Sequence, residues 1–284
     1  MEILKLNLIN HFPFLGEGGT SPTLTAYLQG SLNESDCKGK VITPKRPALV
    51  ICPGGGYHHV SGREAEPIAV AFAPAGFQCF VLDYSVAPIK YPQQLLEMAA
   101  SVELIIQNAE AWNVDPQKIV VCGFSAGGHL AASYCTMRNR PEITAHFPVR
   151  PVAAAILGYS VLVDGTDISV QHHGTYRNLS GHPVPTEEDI HHLAPVCHID
   201  PAITPPTFLF HTATDRVVNP LHSLRYSMEL KKKEIPFELH ILPEGRHGLA
   251  TSNRETLHDY LLPEHIRVAK WIDYAKEWLT FIGI

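Results

Sequence analysis

Residues 119–128 read Ile-Val-Val-Cys-Gly-Phe-Ser-Ala-Gly-Gly, and a helix-compatible stretch continues to Met137. An apolar run, a Gly-x-Ser-x-Gly pattern and an amphiphilic tail predict a strand, a sharp turn and a helix, with Ser125 on the turn. Gly123 and Gly127 carry no Cβ, so the chain can fold back tightly on either side of the serine. The following helix points its N-terminal amides at the same spot, where negative charge is stabilised. The five-residue pattern is short enough to arise by chance, so its strand–turn–helix setting carries the weight. A weak nucleophile on a strained mount beside a positive helix end points to acyl transfer.

The rest of the chain supplies a scaffold for such a turn. Alternating runs at Leu4–Leu8 and Thr23–Tyr27 read as edge strands. From Pro47 the rhythm changes to short, continuously apolar strands at 48–52, 77–82, 118–122, 152–159, 207–212 and 237–242. Between and after them lie helical segments at 64–73, 92–112, 125–137, 219–234 and 263–281. Uninterrupted apolar strands are covered on both faces. Strands alternating with helices mean an α/β fold, a mostly parallel eight-stranded sheet with helices on both sides. A chain of 284 residues, 45% hydrophobic, suits one domain over 1–284. The interval 161–206 breaks the rhythm. It is rich in His, Pro, Gly and Asp, with one short helix expected at 186–193 behind Thr186-Glu187-Glu188-Asp189, and reads as a cap or lid.

A serine hydroxyl needs a base to take its proton and an acid to orient that base. Asp215 falls just past the strand at 207–212, and His247 just past the strand at 237–242. Ligand chemistry in open α/β sheets gathers at the carboxyl ends of strands, so Ser125, Asp215 and His247 map to one edge in the order Ser…Asp…His. Asp189 and Asp200 precede their strand, His240 lies inside one, and His258 and His265 lie beyond the last loop. Acyl transfer also needs donors for an oxyanion. Cys52-Pro53-Gly54-Gly55-Gly56-Tyr57 follows the strand at 48–52, and the N–H groups of Gly55, Gly56 and Ala126 are the expected donors. Tyr57 and His58, next to that loop, are candidate substrate contacts. Arg63, Glu64 and Glu66 read as braces for the loop.

Composition excludes several other classes. A net charge of −6 with interspersed signs leaves no basic footprint for nucleic acid. Met1 to Leu15 has no secretory pattern, and no apolar stretch approaches the ~20 residues that span a bilayer. Six cysteines without Cys-x-x-Cys spacing, three of them in core strands, predict free thiols and a cytoplasmic location. Seventeen histidines invite a metal, but His172, His173, His182, His191, His192 and His198 lack the helical spacing of a metalloprotease, and no metal is expected. With Tyr159 and Tyr176, these histidines read as the lining of the lid. The lid or an edge strand leaves a homo-oligomer open.

Six segments carry a resemblance: Cys-Pro-Gly-Gly-Gly-Tyr at 52–57, Ser-Gly-Arg-Glu-Ala-Glu-Pro at 61–67, Val-Leu-Asp-Tyr-Ser at 81–85, Gly-Phe-Ser-Ala-Gly-Gly-His at 123–129, His-Thr-Ala-Thr-Asp at 211–215 and Gly-Arg-His-Gly at 245–248. Together they resemble the α/β-hydrolase superfamily of serine esterases, and most of all small bacterial carboxylesterases grouped with acetyl-xylan and other acetyl esterases. Pro53 stands where related lipases and esterases have a histidine. The resemblance implies hydrolysis of short acyl esters, acetyl first, on small molecules such as sugars or simple alcohols, without a cofactor. Two alternatives stay open. A serine peptidase or amidase can use the same fold and triad, although 284 residues leave room only for the insertion. A hydrolase-fold binding protein without catalysis is the other, and an apparently complete triad argues against it.

Overall fold

The computed structural model of the chain describes residues 1–30, 34–35, 41–42, 44–164, 172–257 and 263–284. Cys37, His258 and the side chains of His173 and His265 lie outside them. Eight strands form the main sheet: β1 (Glu2–Asn7), β2 (Thr23–Leu28), β3 (Arg46–Cys52), β4 (Gln78–Asp83), β5 (Val114–Phe124), β6 (Ala154–Gly158), β7 (Thr207–Thr212) and β8 (Phe237–Leu242). Their order is β1-β2-β4-β3-β5-β6-β7-β8. The first two pairings are antiparallel and the others parallel. This is the α/β-hydrolase arrangement expected from the sequence.

The continuous apolar character of the inner strands has a direct cause. In β3, Ala48, Val50 and Cys52 join a core on one face, while Leu49 and Ile51 join a second core on the other. In β5, Ile119 and Val121 serve the first face, and Val120, Cys122 and Phe124 the second. Successive side chains on a strand point to opposite faces, so a strand buried twice needs no polar residue. The longer helices are α1 (Glu66–Phe72), α2 (Gln93–Gln107), α3 (Ser125–Met137), α4 (His173–Ser180), α5 (Glu187–Leu193), α6 (Leu221–Lys232), α7 (Pro263–Ala269) and α8 (Trp271–Phe281). Residues of α2, α3 and α6 sit in the first core; those of α1 and α8 sit in the second. No helix among the described residues is long and apolar enough to cross a membrane. The described cysteines are free thiols, and Cys52, Cys79, Cys122 and Cys135 are buried.

Three expectations need correction. The helix expected over 92–112 stops at Gln107, where the Asn108 side chain and its own N–H both turn back to the Leu104 carbonyl. The helix expected over 263–281 breaks at Lys270 into α7 and α8. Just after the break, Trp271 is fully buried, stacks on Phe210 at 4.3 Å and donates its indole N–H to the Ala250 carbonyl. The insertion holds a second helix, α4, which its polar composition hid. Tyr176 and Leu179 are its buried i, i+3 pair, and Gly181 ends it at φ +73°. The capped start before α5 is as expected: Thr186 Oγ1 accepts the Asp189 N–H, and Asp189 accepts the Thr186 N–H.

Trp271 also meets Phe72 and Phe124, so it ties the C-terminal helix to the second core. Trp271→Ala should cost about 3–5 kcal/mol. In a chain of this size that lowers the thermal midpoint by about 10 °C, readable by calorimetry.

Candidate active site

The turn at the end of β5 is as tight as its glycines allow. Ser125 has φ +53°, a left-handed conformation that a residue with a Cβ rarely adopts. A Cβ on Gly127 would stand 2.1 Å from the Cys52 carbonyl oxygen, and one on Gly123 would stand 2.3 Å from that of Gly127. Only glycine permits α3 to press this closely on the ends of β3 and β5. The result is a serine on the first residue of a 13-residue helix, at the carboxyl edge of the sheet.

The parallel register brings the other candidates to the same edge. Cys52 pairs with Gly123, Phe124 with Gly158, Gly158 with Phe210 and Thr212 with Leu242. The loops that follow these strands therefore meet. His247 Nε2 lies 2.9 Å from Ser125 Oγ, and His247 Nδ1 lies 2.7 Å from Asp215 Oδ2. The Asp215 carboxylate is fully enclosed. Burial alone would push it up. Contacts with His211 and His247, and the Val217 N–H, overcome that and hold it well below the usual carboxylate range. An ionised Asp215 can only accept, so Nδ1 of His247 carries the proton and Nε2 presents its lone pair to the serine hydroxyl. The arrangement can take a proton from Ser125 and hold the positive imidazole that results.

The loop carrying His247 is fastened to the one carrying Asp215. Thr212 Oγ1 donates to the Gly245 carbonyl at 2.8 Å, and the Gly245 N–H donates to Thr214 Oγ1 at 2.9 Å. Asp215 Oδ1 accepts the N–H groups of Val217 and Val218. His211, fully buried, stands 3.3 Å from Asp215 Oδ2. Sequence reasoning treated His211 as a strand residue. Its signal was a polar side chain closing a buried strand four positions before the acid.

On the other side, the Gly54 N–H is taken by Glu64 Oε2 at 2.7 Å. Among the described residues, the N–H groups of Gly55, Gly56 and Ala126 have no protein acceptor. Glu64 is only 3% exposed, and its second oxygen accepts the Tyr159 hydroxyl at 2.7 Å. The same hydroxyl accepts the Ala250 N–H, and the Tyr159 ring packs edge-on against His247 at 5.0 Å. One buried carboxylate thus links the glycine loop to the histidine loop. The expected bracing role of Glu64 has this concrete form.

Tyr57 departs from expectation. Its side chain is 1% exposed, with its hydroxyl 3.0 Å from His129 Nδ1, so it lies under the glycine loop instead of facing a substrate. Of the two residues expected at the substrate, only His58 has an accessible side chain. Tyr159 and Tyr176 are likewise buried and do not line an open lid. His192 and His198 engage Arg140, so these insertion histidines fasten it to the segment after α3.

His129 is the hub of this underside. Nε2 must donate to the Leu193 carbonyl, so Nδ1 accepts from Tyr57. Burial pushes its pKa down to about 4. An unfolded His129 would bind a proton first, so the neutral folded form contributes stability fully above about pH 6.5. That contribution is lost as pH falls towards 4 and amounts to roughly 3 kcal/mol. Denaturant unfolding should show stability falling across that window, and His129→Gln, which cannot titrate, should flatten the fall.

Residues 38–230, more than half of the chain, match the BD-FAE family. Over 256 residues the chain is 31% identical to endo-1,4-beta-xylanase B of Butyrivibrio fibrisolvens, a match covering 87% of this chain and 37% of that protein. It is 26% identical to the acetylxylan esterase of Xylanibacter ruminicola, covering 82% of this chain and 47% of that one. The chain thus spans less than half the length of either relative. The solved acetyl ester-xyloside bifunctional hydrolase from Caldicellulosiruptor lactoaceticus superposes with a TM-score of 0.80 at 31% identity, covering 99% of this chain and 96% of that one. By its sequence match and its fold, the chain belongs to the BD-FAE family of α/β-hydrolases.

Proposed function

We propose that the chain is a serine carboxylesterase that hydrolyses short acyl esters, with acetyl preferred, including those of acetylated sugars. The observation that carries this is the hydrogen-bonded line Ser125–His247–Asp215 at a helix N-terminus, beside three unengaged amides. His247 removes the Ser125 proton as Oγ attacks the ester carbonyl. Asp215 holds the tautomer and stabilises the imidazolium. The N–H groups of Ala126, Gly55 and Gly56 form the oxyanion hole. His247 then protonates the leaving alcohol, and a water that it activates releases the acid. The chemistry calls for no cofactor.

The acetyl and sugar preference draws support from relatives named for acetylxylan and acetyl ester-xyloside substrates. His58, exposed beside the glycine loop, is our candidate for contact with the alcohol. Residues 1–284 act as one unit, with 161–206 as its cap. Buried thiols agree with a reducing, cytoplasmic setting. Self-association into a homo-oligomer belongs to the same proposal, through the cap or an edge strand.

Ser125→Ala should leave a folded protein whose ester turnover is lower by about 10⁴-fold or more. Initial rates on p-nitrophenyl esters from acetate to octanoate, with acetylated xylose and a matched acetyl amide alongside, test the substrate class. A steep preference for acetate with release of acetate from the sugar is expected. A butyrate optimum with the sugar untouched would reduce the proposal to a general carboxylesterase. Faster amide cleavage would favour a peptidase, and no turnover a binding protein.

Glu64→Gln keeps the shape of the brace but turns an acceptor into a donor facing the Gly54 N–H or the Tyr159 hydroxyl. Misplacing the loop by a fraction of an ångström should lower kcat by about 10- to 100-fold with little change in KM. Steady-state kinetics on p-nitrophenyl acetate read that split.

A further inference from the structure

Three metal-ligating side chains meet at the root of the insertion, and the esterase chemistry uses none of them. One ligand atom from each of Asp164, His191 and Cys197 lies within 4.8 Å of the other two. Cys197 Sγ stands 3.7 Å from Asp164 Oδ2. In a tetrahedral zinc site, bonds of about 2.3 Å to sulfur and about 2.0 Å to oxygen set those two atoms about 3.5 Å apart. The pair already has about that spacing, and the imidazole has to close in by at most about 1.5 Å.

The ligands come from separate pieces of chain whose backbones are held from below. Asp164 follows the segment after β6, His191 is in the last turn of α5, and Cys197 is in the turn Pro195–His198. The Val196 N–H donates to the Leu162 carbonyl at 3.0 Å, and the Tyr176 hydroxyl donates to the Val163 carbonyl at 2.8 Å. His198 Nε2 is engaged by Arg140 and the His191 and His192 carbonyls, which leaves His191 as the imidazole available to the cluster. A pre-placed scaffold of this kind lowers the ordering cost of binding.

We infer that Asp164, His191 and Cys197 bind one zinc ion per chain, with water as the fourth ligand. A thiolate and an imidazole select a borderline-soft ion, whereas calcium and magnesium prefer all-oxygen cages. A cysteine coordinates as its thiolate. On binding, the S–H bond breaks, a sulfur–zinc bond forms, and one proton per ion passes to the buffer. Affinity therefore rises with pH. The ion would pin Asp164, at the start of the insertion, to the 191–197 stretch, whose Leu193 carbonyl rests on His129. Its role is structural.

Chelator-stripped protein titrated with Co²⁺, and with Zn²⁺ against a chromophoric chelator, tests this without reading activity. The expected result is one ion per chain, a thiolate-to-cobalt charge-transfer band, proton release on binding and a higher melting temperature with zinc. Cys197→Ser should abolish the band and weaken zinc binding by about tenfold or more. His191 is exposed, so His191→Ala should melt like the parent without metal and also bind zinc more weakly. It decides the question if Cys197→Ser fails to fold. Less than one ion per chain, a cobalt complex without the sulfur band, or variants that bind zinc as tightly as the parent would overturn the inference. The last outcome would put the ion on other histidines.

Discussion

The left-handed backbone at Ser125 is the constraint on which the site depends. A non-glycine residue held there stores about 1–3 kcal/mol and persists only if its surroundings over-determine it. They do so by contact. Gly127 packs against the carbonyls of Cys52 and Pro53, and Gly123 packs against Gly127. The close approach that strains the serine also brings the β3 loop beside the α3 N-terminus. Serine, amides and helix end are thus products of one packing event.

Around that strained point, the charged and polar groups are buried in pairs that each serve two loops. Glu64 holds the glycine loop and Tyr159; Tyr159 holds Ala250 and packs on His247. Asp215 holds His247 and its own turn. Buried polar groups are costly unless fully satisfied, so such pairs favour one arrangement over all near neighbours. Four loops that belong to different strands become a single rigid edge.

Much of this was legible before any coordinates. Apolar strands at 48–52 and 118–122 announce a doubly covered sheet, because each successive apolar side chain has a core to fill. Ser125, Asp215 and His247 were legible because each follows a strand, and parallel register carries them to one edge. The three residues that the structure adds, His211, His129 and Tyr159, were not. His129 and Tyr159 act through partners distant in sequence, and nothing local marks those partners, while His211 lies four positions before its partner Asp215 and is hidden as one residue of a strand. Tyr57 misled for the same reason: its place after the glycine loop fitted a pocket wall, while its orientation was set by His129, 72 positions away. Helix α4 was hidden because its stability comes from docking Tyr176 and Leu179, not from the propensity of its own polar sequence.

The insertion is bolted to the glycine loop, to the segment before α2 and to α3. Asn178 donates to the Gly56 carbonyl, the Tyr91 N–H donates to the Leu179 carbonyl, and Leu193 receives the proton of His129. Raising it as a flap would pull on the glycine loop, whose Gly55 and Gly56 N–H groups are the proposed oxyanion donors. An evolutionary or laboratory exchange of this segment could vary its outer turns freely. The anchors at 178 and 193 would have to travel with the new piece, or the glycine loop and α3 would lose their ties to it.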